Sequence, residues 1–188
     1  GQSAGGFGAA LNYVQTARAF ASAPVMLIDD SGPLMANPTL AACLETSMLN
    51  LWGMSKTVIA DCGSDCSDPA NSLSQYWKHL PKTYPGVPFA FLDSVADSVI
   101  SGFFGFGASN CTSYATTTPA AYEAALLAMR TQVASNPNAG LFLFAGTSHT
   151  SLVQAYTTRT APGSDGGTIK LEDWVSAVVA GNVTNAGP

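Results

Sequence analysis

Three short, unbroken apolar runs constrain this chain more than any other feature: Val25-Met26-Leu27-Ile28, Phe89-Ala90-Phe91-Leu92 and Leu141-Phe142-Leu143-Phe144. Each lacks the polar alternation of a strand with one wet face, so each reads as a strand covered on both sides. Asp29-Asp30-Ser31-Gly32-Pro33 closes the first run as a turn. The intervening segments are helical in pattern. Residues 6 to about 20 place Phe7, Leu11, Val14 and Ala17 at steps of three and four. Asn37-Pro38 reads as a cap and N1 proline opening a helix to Met48 or Trp52. Thr118-Pro119 opens another, with Tyr122, Ala125, Leu126, Met129 and Val133 on one face. A last helix, from Lys170 or Leu171 to Ala180, carries Trp174, Val175, Val178 and Val179. Residues 60 to 72 read as a loop rich in Cys and Asp, and Asp93 to Ile100 turn away from the sheet into Gly102-Phe103-Phe104-Gly105-Phe106-Gly107. Short buried strands alternating with helices predict an α/β fold built on a parallel sheet. A chain of 188 residues is expected to form one domain, residues 1–188.

Composition narrows the function classes. Charged residues make up 10% of the chain, against about 25% in an average soluble protein. Hydrophobic residues make up 47%, yet no apolar run reaches the ~18 residues that cross a bilayer. No membrane span is expected. A net charge of −5 and a pI near 4.6 leave no basic footprint for nucleic acid. The four cysteines lack the paired spacing of a zinc site and read as disulfide partners. Their pairing has three possible connectivities; Cys62 and Cys66 suit a local bridge, which would leave Cys43 with Cys111. Together with few lysines and two glycosylation-type triplets, at Asn110 and Asn182, this predicts a secreted or periplasmic protein.

The chemistry is concentrated in three places. Gly1-Gln2-Ser3-Ala4-Gly5 is a G-x-S-x-G pentapeptide running into a helix, the pattern that exposes a nucleophilic serine on a strained turn. The backbone N–H of Ala4, next after the serine, is the expected oxyanion donor. His149 follows the third strand by five residues, where open α/β sheets place reacting groups. The order Ser, acid, His is that of serine hydrolases of the α/β type. Asp97 is the preferred acid; Asp93, Asp29 and Asp30 remain alternatives. A carboxylate at a strand terminus is usually tied up by local amides, whereas one a few residues on can turn back toward the imidazole. His79 reads as a solvated surface residue. Gln2 lies within the elbow and is a candidate substrate contact. Phe103, Phe104 and Phe106 fit either ordinary core packing or the lining of an acyl or glycan pocket beside the acid loop.

These segments, Gly1-Gln2-Ser3-Ala4-Gly5-Gly6, Ile28-Asp29-Asp30-Ser31-Gly32, Asp97-Ser98-Val99-Ile100 with the Gly/Phe stretch, and Gly146-Thr147-Ser148-His149-Thr150, together resemble the pectin acetylesterase family, which includes the Notum deacylases. The resemblance implies an α/β-hydrolase-like parallel sheet flanked by helices. It also implies a secreted serine esterase that removes acyl groups, such as acetyl, from a carbohydrate or related ester, and a triad of Ser3, Asp97 and His149. No metal or organic cofactor is required. Members of that family carry about half their length before the nucleophile. On that basis the first strands of the sheet are expected to be absent from this chain, leaving a bare sheet edge and a bare apolar face. The partner expected is an ester substrate, either an acylated glycan or a small ester; the N-terminal half is either a separate chain that stays associated, a part left out of this sequence, or truly absent. The competing reading is a binding or structural module that keeps the architecture without catalysis.

Overall fold

The computed structural model describes residues 1–188. In chain order its elements are α1 (Ala4–Leu11), α2 (Tyr13–Ala19), β1 (Leu27–Asp30), α3 (Ala42–Leu51), α4 (Val58–Cys62), α5 (Ser72–Thr83) and β2 (Phe89–Ser94). They continue as α6 (Ser98–Phe104), the short turn α7 (Ala108–Cys111), α8 (Pro119–Val133), β3 (Ala139–Phe144), β4 (Thr160–Pro162), β5 (Thr168–Lys170) and α9 (Leu171–Val179).

The three apolar runs become one parallel sheet in the order β1-β2-β3, with Leu27 opposite Phe89 and Phe89 opposite Ala139. Side chains alternate across it. Leu27, Phe89, Phe91, Leu141 and Leu143 join a large cluster with Tyr13, Trp77, Leu80, Tyr122, Leu126 and Met129 from the helices. Ala90, Leu92, Phe142 and Phe144 face a smaller cluster with Ala161, Leu171, Trp174 and Val178. Helices on one side, and α9 with the β4–β5 hairpin on the other, explain why the strands carry no polar alternation. Fully burying a side chain such as Phe91 or Leu141 contributes about 1.5–3 kcal/mol.

Both faces of the three-stranded sheet are covered, and main chain from either end of the sequence lies along part of its outer strands. Beyond β3, the backbone near the C-terminus pairs with it, Leu143 N donating to Ala186 O and Ala186 N to Leu141 O, both at 2.8 Å. Beyond β1, Asp30 N donates to Gly1 O at 2.9 Å and Ser3 N to Asp30 O at 2.7 Å, so Gly1–Ser3 run parallel to β1.

Other expectations shift by local chemistry. The first helix breaks in two at Asn12, whose Nδ2 bonds back to Gly8 O at 2.8 Å. The helix expected from Pro38 begins only at Ala42, because Leu34, Met35 and Leu40 fill the core as loop residues and Asn37 N bonds to Asn71 Oδ1 at 2.9 Å. The segment expected to be a loop over residues 60 to 72 instead holds the end of α4 and a 3-10 turn at Gly63–Cys66. Helix α5, with Leu73, Tyr76, Trp77 and Leu80 buried, was not expected. The helices at Pro119 and Leu171 form as read, the former with Thr118 Oγ1 accepting Ala121 N. Two disulfides are present, Cys43–Cys111 and Cys62–Cys66. No helix is long and apolar enough to cross a membrane.

Candidate active site

Ser3 sits between the Gly1–Gln2 segment and α1 at φ 55° and ψ −125°, a conformation that non-glycine residues rarely adopt. Two glycines let the helix that follows it pack closely. A Cβ on Gly6 would collide with Asp29 Oδ1, and one on Gly32 with Phe7 N, so α1 lies directly on the turn after β1. At the head of α1, Gly5 N donates to Gln2 O while Gly6 N and Phe7 N donate to Ser3 O. The N–H of Ala4, between them, has no acceptor within the protein. It is a free donor beside a half-buried serine hydroxyl.

Across the sheet ends, His149 Nδ1 lies 2.6 Å from Asp97 Oδ2, and the Asp97 side chain is fully buried. Asp97 also caps α6, its Oδ1 accepting Val99 N at 2.8 Å and Ile100 N at 2.9 Å. One oxygen is thus locked by the helix while the other meets the ring. The other ring nitrogen, Nε2, is buried and has no hydrogen-bond partner. Ser3 Oγ makes no hydrogen bond within the protein either, and none joins it to Nε2.

The loop carrying His149 is fastened at almost every residue. Ala96 N donates to Gly146 O, and Ser98 donates to Thr147 O through both N and Oγ. Arg159 reaches Ser148 Oγ at 2.8 Å and Ser151 Oγ at 3.3 Å, its guanidinium lying 4.2 Å from the Phe144 ring centroid. Thr150 N donates to Ser31 Oγ, and Ser151 N and Leu152 N both donate to Asp30 Oδ2 at 2.8 Å.

The other carboxylates considered as the acid are committed elsewhere. Asp93 accepts from Ser94 N, Ser31 Oγ and Tyr122 Oη, and burial, with the neighbouring charge of Asp97, holds its carboxyl well above the usual range. Asp29 lies beneath α1 with Oδ1 unpartnered, pushed well up by burial. Asp30 holds the histidine loop. Only Asp97 meets the imidazole.

Gln2 donates its Nε2 to Asp30 Oδ2 at 2.9 Å, which turns its amide nitrogen inward. Phe104 is buried at 2% exposure and belongs to the core. Phe103 is half-buried and packs edge-on to Phe7, its ring centroid 6.3 Å away. Phe106 is 59% exposed against Tyr114. A cavity of about 200 Å³ opens beside Ala4, lined by Phe7, Gly8, Leu11, Trp52 and Met54. His79, read as solvated, is instead largely covered, its side chain 12% exposed and bonded to Asp65 and Thr83. No group of three or more His, Cys, Asp or Glu side chains is placed to hold a metal ion. Arg159, Ser31 and Asp30 carry the loop, and sequence reading gave them no such part. Their bonds run to backbone amides and hydroxyls more than 100 residues away or to small loop serines, so no spacing announces them.

No protein-family model, curated protein or solved structure matches this chain.

Proposed function

We propose that this protein is a secreted serine esterase with an α/β-hydrolase-like architecture, removing small acyl groups from a carbohydrate or related ester. The observation that carries the reading is the His149–Asp97 pair, whose outward nitrogen is buried and unpartnered at the end of the sheet that also carries a strained Ser3. A buried ring nitrogen without a partner costs free energy unless a reacting group completes it. The resemblance to pectin acetylesterases and Notum points the same way. The parallel order of Gly1–Ser3, β1, β2 and β3, with serine after the first segment, the acid after β2 and the histidine after β3, also agrees with it.

In the proposed reaction Ser3 Oγ attacks the ester carbonyl carbon as its proton passes to His149 Nε2. Asp97 holds the imidazole with its proton on Nδ1 and stabilises the imidazolium. Ala4 N–H donates to the carbonyl oxygen as it becomes an oxyanion, a type of contact whose removal costs ~100 to 1,000-fold in rate. The ester C–O bond then breaks, Nε2 returns the proton to the leaving alcohol, and an acyl-Ser3 ester remains. Water repeats the sequence: its proton passes to Nε2, its oxygen forms the acid, and the proton returns to Ser3 Oγ.

The test uses the full natural chain. A fluorophosphonate probe should form a covalent adduct on Ser3, found by peptide mass, and Ser3→Ala should abolish both the adduct and hydrolysis of p-nitrophenyl acetate. A natural protein that neither takes up the probe nor hydrolyses the ester would leave the non-catalytic module as the correct reading.

A further inference from the structure

We propose that Asp30 is a positioning residue that sets the separation between Ser3 and His149, an inference that rests on the esterase reading. Asp30 is the one residue bonded to both partners' segments. Its main chain receives Ser3 N at 2.7 Å and donates to Gly1 O at 2.9 Å. Its Oδ2 receives Gln2 Nε2 at 2.9 Å from the residue before the serine. The same oxygen receives Ser151 N and Leu152 N at 2.8 Å from the loop just after the histidine. Ser31 Oγ shares its single proton between Asp30 Oδ1 at 3.2 Å and Asp93 Oδ1 at 3.1 Å, and the same oxygen accepts Thr150 N at 3.2 Å. The side chain is fully buried, so its oxygens are satisfied by these donors rather than by water.

Asp97 cannot perform this task. It fixes the plane and tautomer of the imidazole, but its own anchors are on α6 and on the loop, none on the elbow. The span from hydroxyl to Nε2 therefore passes through Asp30. Displacement of a reacting group by ~1 Å costs about 100-fold.

The experiment compares the full natural chain with Asp30→Ala, Asp30→Asn and Gln2→Leu. Readouts are kcat and KM for p-nitrophenyl acetate, the rate of fluorophosphonate uptake at Ser3, and the folded fraction from a thermal melt. Asp30→Ala should lower kcat per folded molecule about 100-fold with KM nearly unchanged, at every pH across the activity profile. Asp30→Asn keeps an oxygen for the amide donors and should recover to within about tenfold of the natural rate. Gln2→Leu removes only the link to the elbow and should lower kcat about three- to tenfold at constant KM. A rise in KM for Gln2→Leu with kcat unchanged would make Gln2 a substrate contact and overturn its part in positioning. Should Asp30→Ala fail to fold, Gln2→Leu and Asp30→Asn decide, and unchanged kcat in the former overturns the proposal. If natural protein labels at Ser3 and Asp30→Ala labels at the same rate per folded molecule, the positioning role fails while the esterase reading stands. If natural protein does not label at all, both fall.

Discussion

Four aspartates lie at or just past the carboxyl ends of the paired strands β1 and β2, and their fates differ because of which donors reach them. Asp97 is one helix start further along, so its Oδ1 is used by Val99 N and Ile100 N and its Oδ2 is left for His149. That much was legible from the position of Asp97 past the strand end. The roles of Asp29 and Asp30 were not, since adjacent residues on a strand face opposite sides and only the packed partners tell them apart. Asp29 faces the underside of α1, where burial raises its pKa well above the usual carboxylate value against the pull of the Gly32 amide. A raised folded-state pKa gives stability that is complete below the unfolded pKa of about 3.9 and is lost as pH rises toward the folded value. Asp29→Asn removes that titration. Thermal melts between pH 4 and pH 8 should show the natural protein losing stability with rising pH, and the variant losing less, the residual slope coming from Asp93 and Glu45, which are raised in the same sense. An identical slope in both proteins would mean that Asp29 is ionised throughout.

At the scale of elements, the helices that sequence reading found are those whose signals are local. Thr118-Pro119 caps α8 with a bond three residues away, and the buried face of Tyr122, Leu126, Met129 and Val133 follows the helical period. Helix α5 has an equally clear face in Leu73, Tyr76, Trp77 and Leu80, but its start is capped from another helix. The buried carboxylate of Glu45 on α3 accepts Ser72 Oγ and Leu73 N through a single oxygen, Oε1. Asn71, the residue in the capping position, makes no side-chain cap bond. With the acceptor 27 residues upstream and Pro81 inside the helix, α5 has its apolar period but no local start or stop signal. The Glu45 carboxyl is itself raised by burial, which these two donors oppose. Glu45→Ala should leave two buried donors unsatisfied and destabilise the fold by about 2–4 kcal/mol, measurable as a lower midpoint in urea with m unchanged. Glu45→Gln retains one acceptor oxygen and should cost less than half of that. Equal losses for the two variants would show that the side chain acts by filling space rather than by capping.

Across the whole molecule, the sheet is surrounded but the periphery is held by cross-links. Cys43–Cys111 joins α3 to the turn that follows the acid helix, closing a separation of 68 residues. Cys62–Cys66 closes only four. Chain entropy assigns about 4 kcal/mol to the long loop and about 2 kcal/mol to the short one. One effect opposes this order: Ser109, Asn110 and Cys111 are all left-handed, at φ 48°, 58° and 62°, which costs roughly 1–2 kcal/mol each and is returned if the turn relaxes once the bridge is gone. Relaxation is restrained by bonds that do not depend on sulfur, Thr112 N and Oγ1 to Ser109 O, Ser113 N to Ala108 O and Ala115 N to Gly105 O. Gly107 is also confined, since a Cβ there would meet Ala41 at 2.5 Å. The turn should therefore persist and the entropic order should hold. Replacing Cys43 and Cys111 together by alanine should lower the melting temperature by about 10 °C, and replacing Cys62 and Cys66 by about half as much. Equal shifts would mean that the left-handed turn unwinds without its bridge, and a reversed order would mean that the Cys62–Cys66 corner, buried in the large cluster, contributes more through packing than the long loop does through entropy.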